Sequence, residues 1–373
     1  MPSLPQLPED ASDAFKALQT LTGNSAHLKF AIAGQAYDAI SFDGTEALSD
    51  IFSATLYVLA DMDETWLGKP ALVTLTDASG NERTLAGIVT YQRDRGWNAN
   101  KQARVEILLR PRLWVLSQSV DSRIFQGLSL PDIVRQVILQ QGLIATDSMV
   151  WKLTQTYPTQ PYTVQYEETD LAFIERLLAG IGISYWFTEL DGRDIVHFTD
   201  DNQHYTPLDL GVIPFIADAG LDKPMACFNK FIHGSRHVRV NAHVVDYTYG
   251  NPEHLIKAGL GPTAKDPAQV YFGLGTSNVD QAERRSRILA QRFAIEGLRI
   301  EIAGSVAGLY PGATFSFVHP GHPMYSGDYL VTHLSHTLSQ QARVEHNSDL
   351  GNLAYSHHAY LIRSEERRVG KEC

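Results

Sequence analysis

The chain has 373 residues, of which 44% are hydrophobic, and this length favours two or three domains, each with a buried core. It carries 42 acidic and 31 basic residues, which gives a formal net charge of −11. A protein that binds along nucleic acid needs an excess of Lys and Arg to neutralise phosphates. The charge balance therefore predicts that neither DNA nor RNA is the main ligand.

Signals for export or membrane insertion are not evident in the sequence. The first ten residues lack the basic start and apolar run of a signal peptide. The longest apolar stretches, such as 177–187, reach about half of the roughly 20 residues that span a bilayer. Cys227 and Cys373 are the only cysteines, so neither a disulfide framework nor a Cys-based zinc site is expected. We expect synthesis in a reducing cytoplasm, without a signal peptide or a membrane anchor.

The first organised region, from about residue 27 to 116, has the short, turn-bounded strand signals of a small β-barrel. The predicted strands are 28–32, 37–43, 53–60, 71–76, 84–91 and 104–109. The fourth and fifth form a predicted hairpin around 77–81, because Gly80 and Asn81 tolerate the positive φ of a tight turn. Pro111 ends the sixth strand.

The middle of the chain combines helices with a hairpin. Ser129 and Asp132 predict a helix start, because the hydroxyl can accept from free backbone N–H groups and the carboxylate favours the positive end of the helix dipole. Gly142 ends this helix, and a second helix begins near Asp170. It leads into a predicted hairpin with strands at 183–188 and 195–199. We interpret this region as α+β.

Strand signals return in the last part of the chain, on either side of a third helix. That helix is predicted over 279–296, with Gly297 at its end. Its charged face, which carries Arg284, Arg285 and Arg287, is expected to be solvated. A Gly- and Pro-rich loop is predicted at 249–267, and strands are predicted at 228–234, 237–247, 314–318 and 328–338.

Several short motifs follow one another in an order typical of a known family. The early ones are Glu-Ala-Leu-Ser at 46–49, Gly-Ile-Val-Thr at 87–90, Arg-Pro-Arg-Leu-Trp at 110–114 and Asp-Ser-Arg-Ile-Phe-Gln at 121–126. The later ones lie at 165–178, 182–185, 309–312 and 329–332, with His336 after them. On the basis of these motifs, and over about residues 37–362, the chain resembles the N-terminal module of the type VI secretion spike proteins, the VgrG family.

The resemblance implies the fold of a contractile phage tail hub: mainly β, with two small antiparallel β-barrels joined by an α+β insertion. Three copies are expected to form a pseudo-sixfold ring. The expected divisions are a leader at 1–23, a first barrel at 24–116, an insertion at 117–213 continued at about 248–298, and a second barrel at 214–247 and 299–362. The polar stretch at 363–373 is expected to be a disordered, non-native tail of a chain that lacks the family's spike.

The resemblance also implies a structural function rather than an enzymatic one. The homotrimer is expected to adapt a sixfold Hcp-like tube hexamer to a threefold puncturing tip. Baseplate components and effector or adaptor proteins are the other expected partners, and the assembled apparatus is expected to secrete the chain. A hub of a contractile phage or of a phage-like injection particle is the alternative with the same fold.

Histidines raise a third hypothesis, a His-dependent metallohydrolase. Seven of the 14 fall within about 40 residues: His319, His322, His333, His336, His346, His357 and His358. His333 and His336 make poor co-ligands, because an odd separation on a strand sends them to opposite faces. His319 and His322 flank a Pro-Gly turn, yet no acidic or Cys partner stands at an obvious spacing. Packing or interface histidines, without a metal, are the preferred interpretation.

Other chemical patterns also have simple structural explanations. Glu167, Glu168 and Asp170 could form an acid/base pair, but acids at a helix start complement its dipole. The Ser-His neighbours at 233–237 lack the spacing of a nucleophile elbow. The glycines at 273–275 lack the Lys-Ser or Lys-Thr of a phosphate loop. The sequence therefore predicts no catalytic, cofactor-binding or metal-binding residue.

Overall fold

The computed structural model describes residues 27–60, 65–97, 102–211, 213–217, 225–239, 241–248, 251–260, 268–276, 278–340 and 354–364. The predicted leader and residues 365–373 of the predicted tail lie outside these ranges. Within them the chain is mainly β with three α-helices, as predicted. Short 3₁₀ helices also occur at Arg112–Gln118, Thr146–Ser148, Asn202–His204 and Pro323–Tyr325.

Six strands near the start of the chain pair in a closed circuit, which we call the first ring. They are β1 (His27–Ile32), β2 (Gln35–Ala47), β3 (Ser53–Ala60), β4 (Pro70–Thr76), β5 (Glu82–Trp97) and β6 (Ala103–Arg110). The antiparallel order is β1-β4-β5-β6-β3-β2, and β2 also pairs with β1. Alternate side chains such as Phe30, Leu56 and Val105 fill its core. All six predicted strands are confirmed, although β2 and β5 are longer than predicted.

The hairpin turn between β4 and β5 is built around a buried carboxylate. Gly80 has a φ of 86°, as predicted, but Asn81 is not among the residues with positive φ. Asn81 instead donates its side-chain amide to Asp77 Oδ2 at 2.8 Å. The same oxygen accepts the backbone N–H of Ala307 at 2.9 Å. The turn therefore attaches the first ring to a segment much later in the chain.

A second set of strands forms the second ring. Its strands are β14 (Thr206–Pro207), β15 (Phe228–Ser235), β19 (Leu298–Gly304), β20 (Ala313–Phe317), β21 (Gly327–Ser339) and β22 (Ala354–Arg363). They pair in the order β15-β19-β22-β21-β20-β14. The segment after β14 returns to the other end of this strand order, where Phe215 forms a parallel β-bridge with Phe228 of β15. The ring encloses a separate core that includes Ile302, Phe317 and Leu361.

The long strand β21 of the second ring also pairs with the first ring. Its first half pairs with β20, its second half pairs with β2, and β22 follows it along most of its length. The register shifts between Val331 and His333, and the carbonyl of Thr332 accepts the N–H of Leu48 at 2.8 Å. A single continuous sheet therefore connects the two rings.

The insertion follows the first ring and has the α+β character predicted for it. Its helices are α1 (Leu130–Gln140) and α2 (Asp170–Ile181). Two short ribbons pair β7 (Val120–Phe125) with β11 (Thr163–Thr169), and β8 (Leu128–Ser129) with β10 (Thr159–Gln160). A three-stranded sheet contains β9 (Met149–Lys152), β12 (Ser184–Leu190) and β13 (Arg193–Thr199).

The helix starts of the insertion confirm the signals read from the sequence. Ser129 Oγ accepts the N–H of Asp132 at 3.3 Å, and Thr169 Oγ1 accepts the N–H of Ala172 at 3.1 Å. Gly182 ends α2 in the left-handed conformation, with a φ of 74°. The β12–β13 hairpin also forms as predicted.

A last layer consists of β16 (Asn241–Thr248), β17 (Asn251–Leu260) and β18 (Ala268–Phe272), with α3 (Val279–Gly297) against one face. The predicted loop at 249–267 is therefore wrong over β17. As an edge strand, β17 tolerates Pro252. A Cβ at Gly259 would lie 2.0 Å from His243 Nδ1, so this glycine permits close packing of a strand. The remainder of that prediction falls outside the described residues.

The prediction that the arginine face of α3 is solvated is also wrong in part. Arg287 is exposed, but Arg284 and Arg285 are half-buried against the insertion. Arg284 lies over the ring of Tyr157 at 4.5 Å from its centroid. Helical periodicity shows which residues share a face, but not whether another element covers that face.

Candidate assembly core and surfaces

A buried polar cluster lies where the two rings meet the insertion. Glu46 on β2 and Arg83 on β5 form an ion pair, with Arg83 Nε 3.1 Å from Glu46 Oε1, and both side chains are buried. The guanidinium also donates to the carbonyl of Phe187 on β12 at 3.2 Å. Its carbon lies 4.8 Å from the ring centroid of Tyr310, just before β20. Arg83 therefore contacts all three parts of the fold.

His336 on β21 completes this cluster. Its Nε2 lies 3.5 Å from Glu46 Oε1, and its Nδ1 lies 3.2 Å from the hydroxyl of Tyr355 on β22. Burial, with a smaller effect from the positive charge of Arg83, lowers the pKa of His336 to about 3. The imidazole is therefore neutral near pH 7 and acts as a packing and hydrogen-bonding group.

Other motif residues also meet one another between elements. A Cβ at Gly87 would lie 2.2 Å from the carbonyl oxygen of Arg110, so β5 and the end of β6 approach too closely for any side chain. Arg112 binds Asp194 on β13 through its Nε at 2.6 Å and its backbone N–H at 2.9 Å. The motifs read from the sequence thus mark contacts that fix the rings and the insertion to each other.

The first two candidate metal ligands do not form an open site. His319 Nδ1 accepts the backbone N–H groups of Gly321 and His322 at 3.2 and 3.1 Å, so this nitrogen is engaged within its own loop. The rings of His319 and His322 are 5.2 Å apart. Both also contact the ring of Tyr325. This arrangement is that of an aromatic packing cluster.

The remaining histidines of the group lie in separate environments. His357 Nδ1 accepts the N–H of Val306 at 3.3 Å, and His358 Nε2 lies 2.8 Å from Glu301 Oε2. His333 packs edge-on against Tyr360. His346 lies outside the described residues. Within the described ranges, no group of three His, Cys, Asp or Glu side chains is arranged to hold a metal ion.

The three acids near the start of α2 have different roles. Asp170 is buried in the first turn, where it binds Arg123 and accepts the side-chain amides of Gln165 at 2.8 Å and Gln141 at 2.9 Å. Glu168 pairs with Arg176 of α2. Glu167 is exposed. The structure therefore does not bring these carboxylates together as an acid/base pair.

The two remaining sequence patterns, the Ser-His neighbours at 233–237 and the glycines at 273–275, lie at the ends of strands. His233, Ser235 and His237 are exposed at the end of β15, where His233 stacks on Tyr325. The glycines at 273 and 275 lie in the loop between β18 and α3 and line a cleft next to that helix. These positions show no catalytic arrangement among the residues that the structure describes.

Two sheet faces expose apolar side chains, and the sequence did not identify either of them. The ribbon face, on β7 and β11, consists of Val120, Ile124, Val164 and Tyr166, and the last of these is 70% exposed. The sheet face, on β16, β17 and β18, consists of Tyr247, Leu255, Val270 and Phe272. Contiguous exposed apolar surface is typical of a protein interface.

A single sequence gave no way to separate these faces from the core. The only available signal was a strand with apolar residues on both sides, as in β18. In the described part of the chain, no helix is both long enough and apolar enough to cross a membrane.

Comparison with known proteins relates this architecture to phage tails and to a secretion apparatus. The sequence profile of the family described as "Phage tail baseplate hub (GPD)" matches residues 45–342. The type VI secretion system spike protein VgrG1c of Pseudomonas aeruginosa is 27% identical over 310 residues. That match covers 80% of this chain but 42% of the relative, so the chain spans about two fifths of the relative's length.

Two solved structures share the fold. The E. coli c3393 protein, described as a type VI secretion system component that is structurally similar to the T4 bacteriophage tail proteins gp27 and gp5, superposes with a TM-score of 0.65 at 20% identity. The match covers 90% of this chain and 76% of that one. A tail protein from Neisseria meningitidis MC58 superposes with a TM-score of 0.62 at 12% identity, and the match covers 90% and 96% of the two chains.

Proposed function

Because the chain belongs to the phage tail baseplate hub (GPD) family, we propose that it is the structural hub of a type VI secretion spike. The identity to a spike protein over 80% of the chain favours the secretion apparatus over a phage tail. The proposed role is mechanical rather than catalytic. It requires a rigid unit that fits between assemblies of different symmetry.

The single observation that carries this proposal is the strand β21, which pairs with β20 and β22 of the second ring and with β2 of the first ring. We interpret the first ring as the small barrel expected at 24–116 and the second ring as the one expected at 214–247 with 299–362. The second ring differs from those bounds because it includes Thr206–Pro207, whereas Asn241–Thr248 belongs to the last layer. A continuous sheet fixes two similar units in one protomer. A homotrimer would then present six such units, a pseudo-sixfold ring that could match an Hcp-like tube hexamer while remaining threefold on its other side.

The exposed apolar faces support self-association and further partners. Cyclic assembly joins two different surfaces of each protomer, and the ribbon face and the sheet face are two such surfaces on one chain. Baseplate components and effector or adaptor proteins are the other proposed partners. In this proposal the chain is secreted as part of the apparatus that it helps to build.

The test is the oligomeric state of the purified chain and its binding to a tube hexamer. Light scattering after size-exclusion chromatography is expected to give the mass of a trimer. The double variant Val270→Asp with Phe272→Asp is expected to weaken trimer formation. Leu190→Asp, at an exposed position outside both faces, is the matched control. A stable monomer that binds neither longer family members nor a tube hexamer would contradict the hub role.

A phage hub and a metallohydrolase are the competing functions. Genes for a contractile phage tail beside this one, in place of type VI genes, would favour the phage hub. Stoichiometric zinc that disappears on changing His319 or His322 would favour the enzyme. The engagement of His319 Nδ1 within its own loop argues against that outcome.

A further inference from the structure

A cleft of about 470 Å³ lies between α2 and α3. Its walls come from these two helices, from the segment around β10 and from the loop before α3. The described residues that line it include three arginines, Arg176, Arg284 and Arg285, and no Asp or Glu. This is unexpected in a chain whose formal net charge is −11.

Arg285 has no counter-charge in the part of the chain that the structure describes. Its Nη1 lies 2.2 Å from the point where a Cβ would stand on Gly180, so the guanidinium rests on the last turn of α2. The negative end of that helix dipole offsets part of the cost of burying a cation. Burial alone lowers the pKa of this guanidinium, and no ion pair opposes that shift. Its hydrogen-bond donors therefore remain available to a ligand.

Arg284 lies beside it on the same face of α3. It stacks on Tyr157, and its Nη2 is buried without a hydrogen-bond partner among the described residues. The nearby Asp200 accepts the hydroxyl of Tyr157 at 2.9 Å and also the backbone N–H groups of residues 154 and 155. Asp200 thus lies near Arg284 as a charge but uses its oxygens for these three neutral donors.

Arg176 differs from the other two, because it forms an ion pair with Glu168. Arg284 and Arg285 therefore remain as two adjacent guanidinium groups that face a cavity. A half-buried guanidinium without an ion-pair partner among the described residues, such as that of Arg285, is stabilised when an anion binds to it. The planar fork of a guanidinium matches the two oxygens of a carboxylate.

We propose that this cleft binds a carboxylate group, held by Arg284 and Arg285, with Tyr157 and Tyr162 as its aromatic walls. The volume suits a dicarboxylate of side-chain size or an inserted acidic side chain. The carboxylate comes either from a free small acid or from Asp or Glu of a protein partner. The site does not depend on the hub role, because its residues lie in the insertion and on α3, outside the two rings.

Saturation-transfer NMR on the full chain tests the site with two probes, glutarate and a short capped peptide that contains Glu. Both are expected to receive saturation from the protein. Replacing both arginines, Arg284→Ala with Arg285→Ala, should weaken binding at least tenfold, because each lost charge-assisted hydrogen bond is worth a similar factor. Arg287→Ala is the matched control, since this arginine is exposed on the same helix and lies outside the cleft.

If the double variant does not fold, Arg285→Lys keeps the charge but loses the fork, and weaker binding is again expected. Binding of both probes, or of glutarate alone, supports a site for free acids, and binding of the peptide alone supports a protein partner. The proposal is overturned if the wild type binds neither probe at millimolar concentration. Binding that survives in the double variant, or binding of inorganic phosphate without either carboxylate, overturns it as well.

Discussion

Glu46 and Arg83 form a buried ion pair between strands that share no hydrogen-bond ladder. β2 pairs with β1, β3 and β21, whereas β5 pairs with β4 and β6. The pair therefore connects strands that backbone hydrogen bonds leave separate. Through Phe187 and Tyr310 it also contacts the insertion and the second ring. We regard it as a central contact that holds the rings in a fixed arrangement.

The first prediction follows from the burial of this pair. Arg83→Met leaves the Glu46 carboxylate buried without its partner and should lower the free energy of unfolding by about 3–5 kcal/mol. Arg292→Met, which breaks the exposed pair with Glu296 on α3, is the control and should cost about 0.5 kcal/mol or less. Urea unfolding at pH 7 measures both. Equal losses of unfolding free energy in the two variants would show that the buried pair stabilises the fold no more than the exposed pair does.

The second prediction concerns stability in acid. The folded pKa of His336, about 3, lies below the ordinary value of 6.5. As the pH falls below 6.5, His336 becomes protonated in the unfolded state but stays neutral in the folded state. The free energy of unfolding therefore decreases with falling pH. Between pH 8 and pH 5 this group should cost about 2 kcal/mol of unfolding free energy. The loss should continue towards pH 3.

The variant His336→Asn should lack this component of the pH dependence. His197, whose pKa burial lowers to about 4, contributes a similar loss in both proteins, so the difference between the two curves isolates His336. His322→Asn, at an exposed position, is the control. Denaturant unfolding at several pH values gives the curves, and parallel curves for wild type and His336→Asn would contradict the assignment.

Local signals in the sequence predicted much of the fold, because their causes are local. Ser129 caps α1, and the cap of α2 fits the predicted start near Asp170. The strands of the first ring follow the alternation of buried and exposed positions. Ring closure was expected only through the resemblance, and the passage of β21 between the rings was not predicted. Such pairings join residues far apart in sequence, and no periodicity within one segment encodes them.

The errors arose where a neighbouring element changes what a local pattern means. Pro252 and Gly259 suggested a loop, but an edge strand tolerates the first and close packing against His243 requires the second. Arg284 and Arg285 suggested a solvated face, because the sequence does not reveal that α2 lies beside α3. The cleft between these helices was missed for the same reason.

The third prediction tests a contact between two motifs. Gly87→Ala places a Cβ 2.2 Å from the backbone carbonyl of Arg110, which cannot rotate away as a side chain could. The strands must separate, and overpacking of this kind costs about 1–3 kcal/mol. Gly234→Ala on β15 is the control, since its nearest neighbours would stand 3.8 Å away. Thermal unfolding should show a clear loss for the first variant and little change for the second.

The fourth prediction separates the structural and catalytic interpretations of the acids at α2. Asp170→Ala removes a buried carboxylate that binds Arg123 and two glutamine amides, and it should cost about 3 kcal/mol of unfolding free energy. Glu167→Ala is the control, and its exposed side chain should contribute about 0.5 kcal/mol or less. Urea unfolding of both variants gives the comparison. Unchanged stability in Asp170→Ala would contradict a structural role for this carboxylate and reopen the acid/base hypothesis.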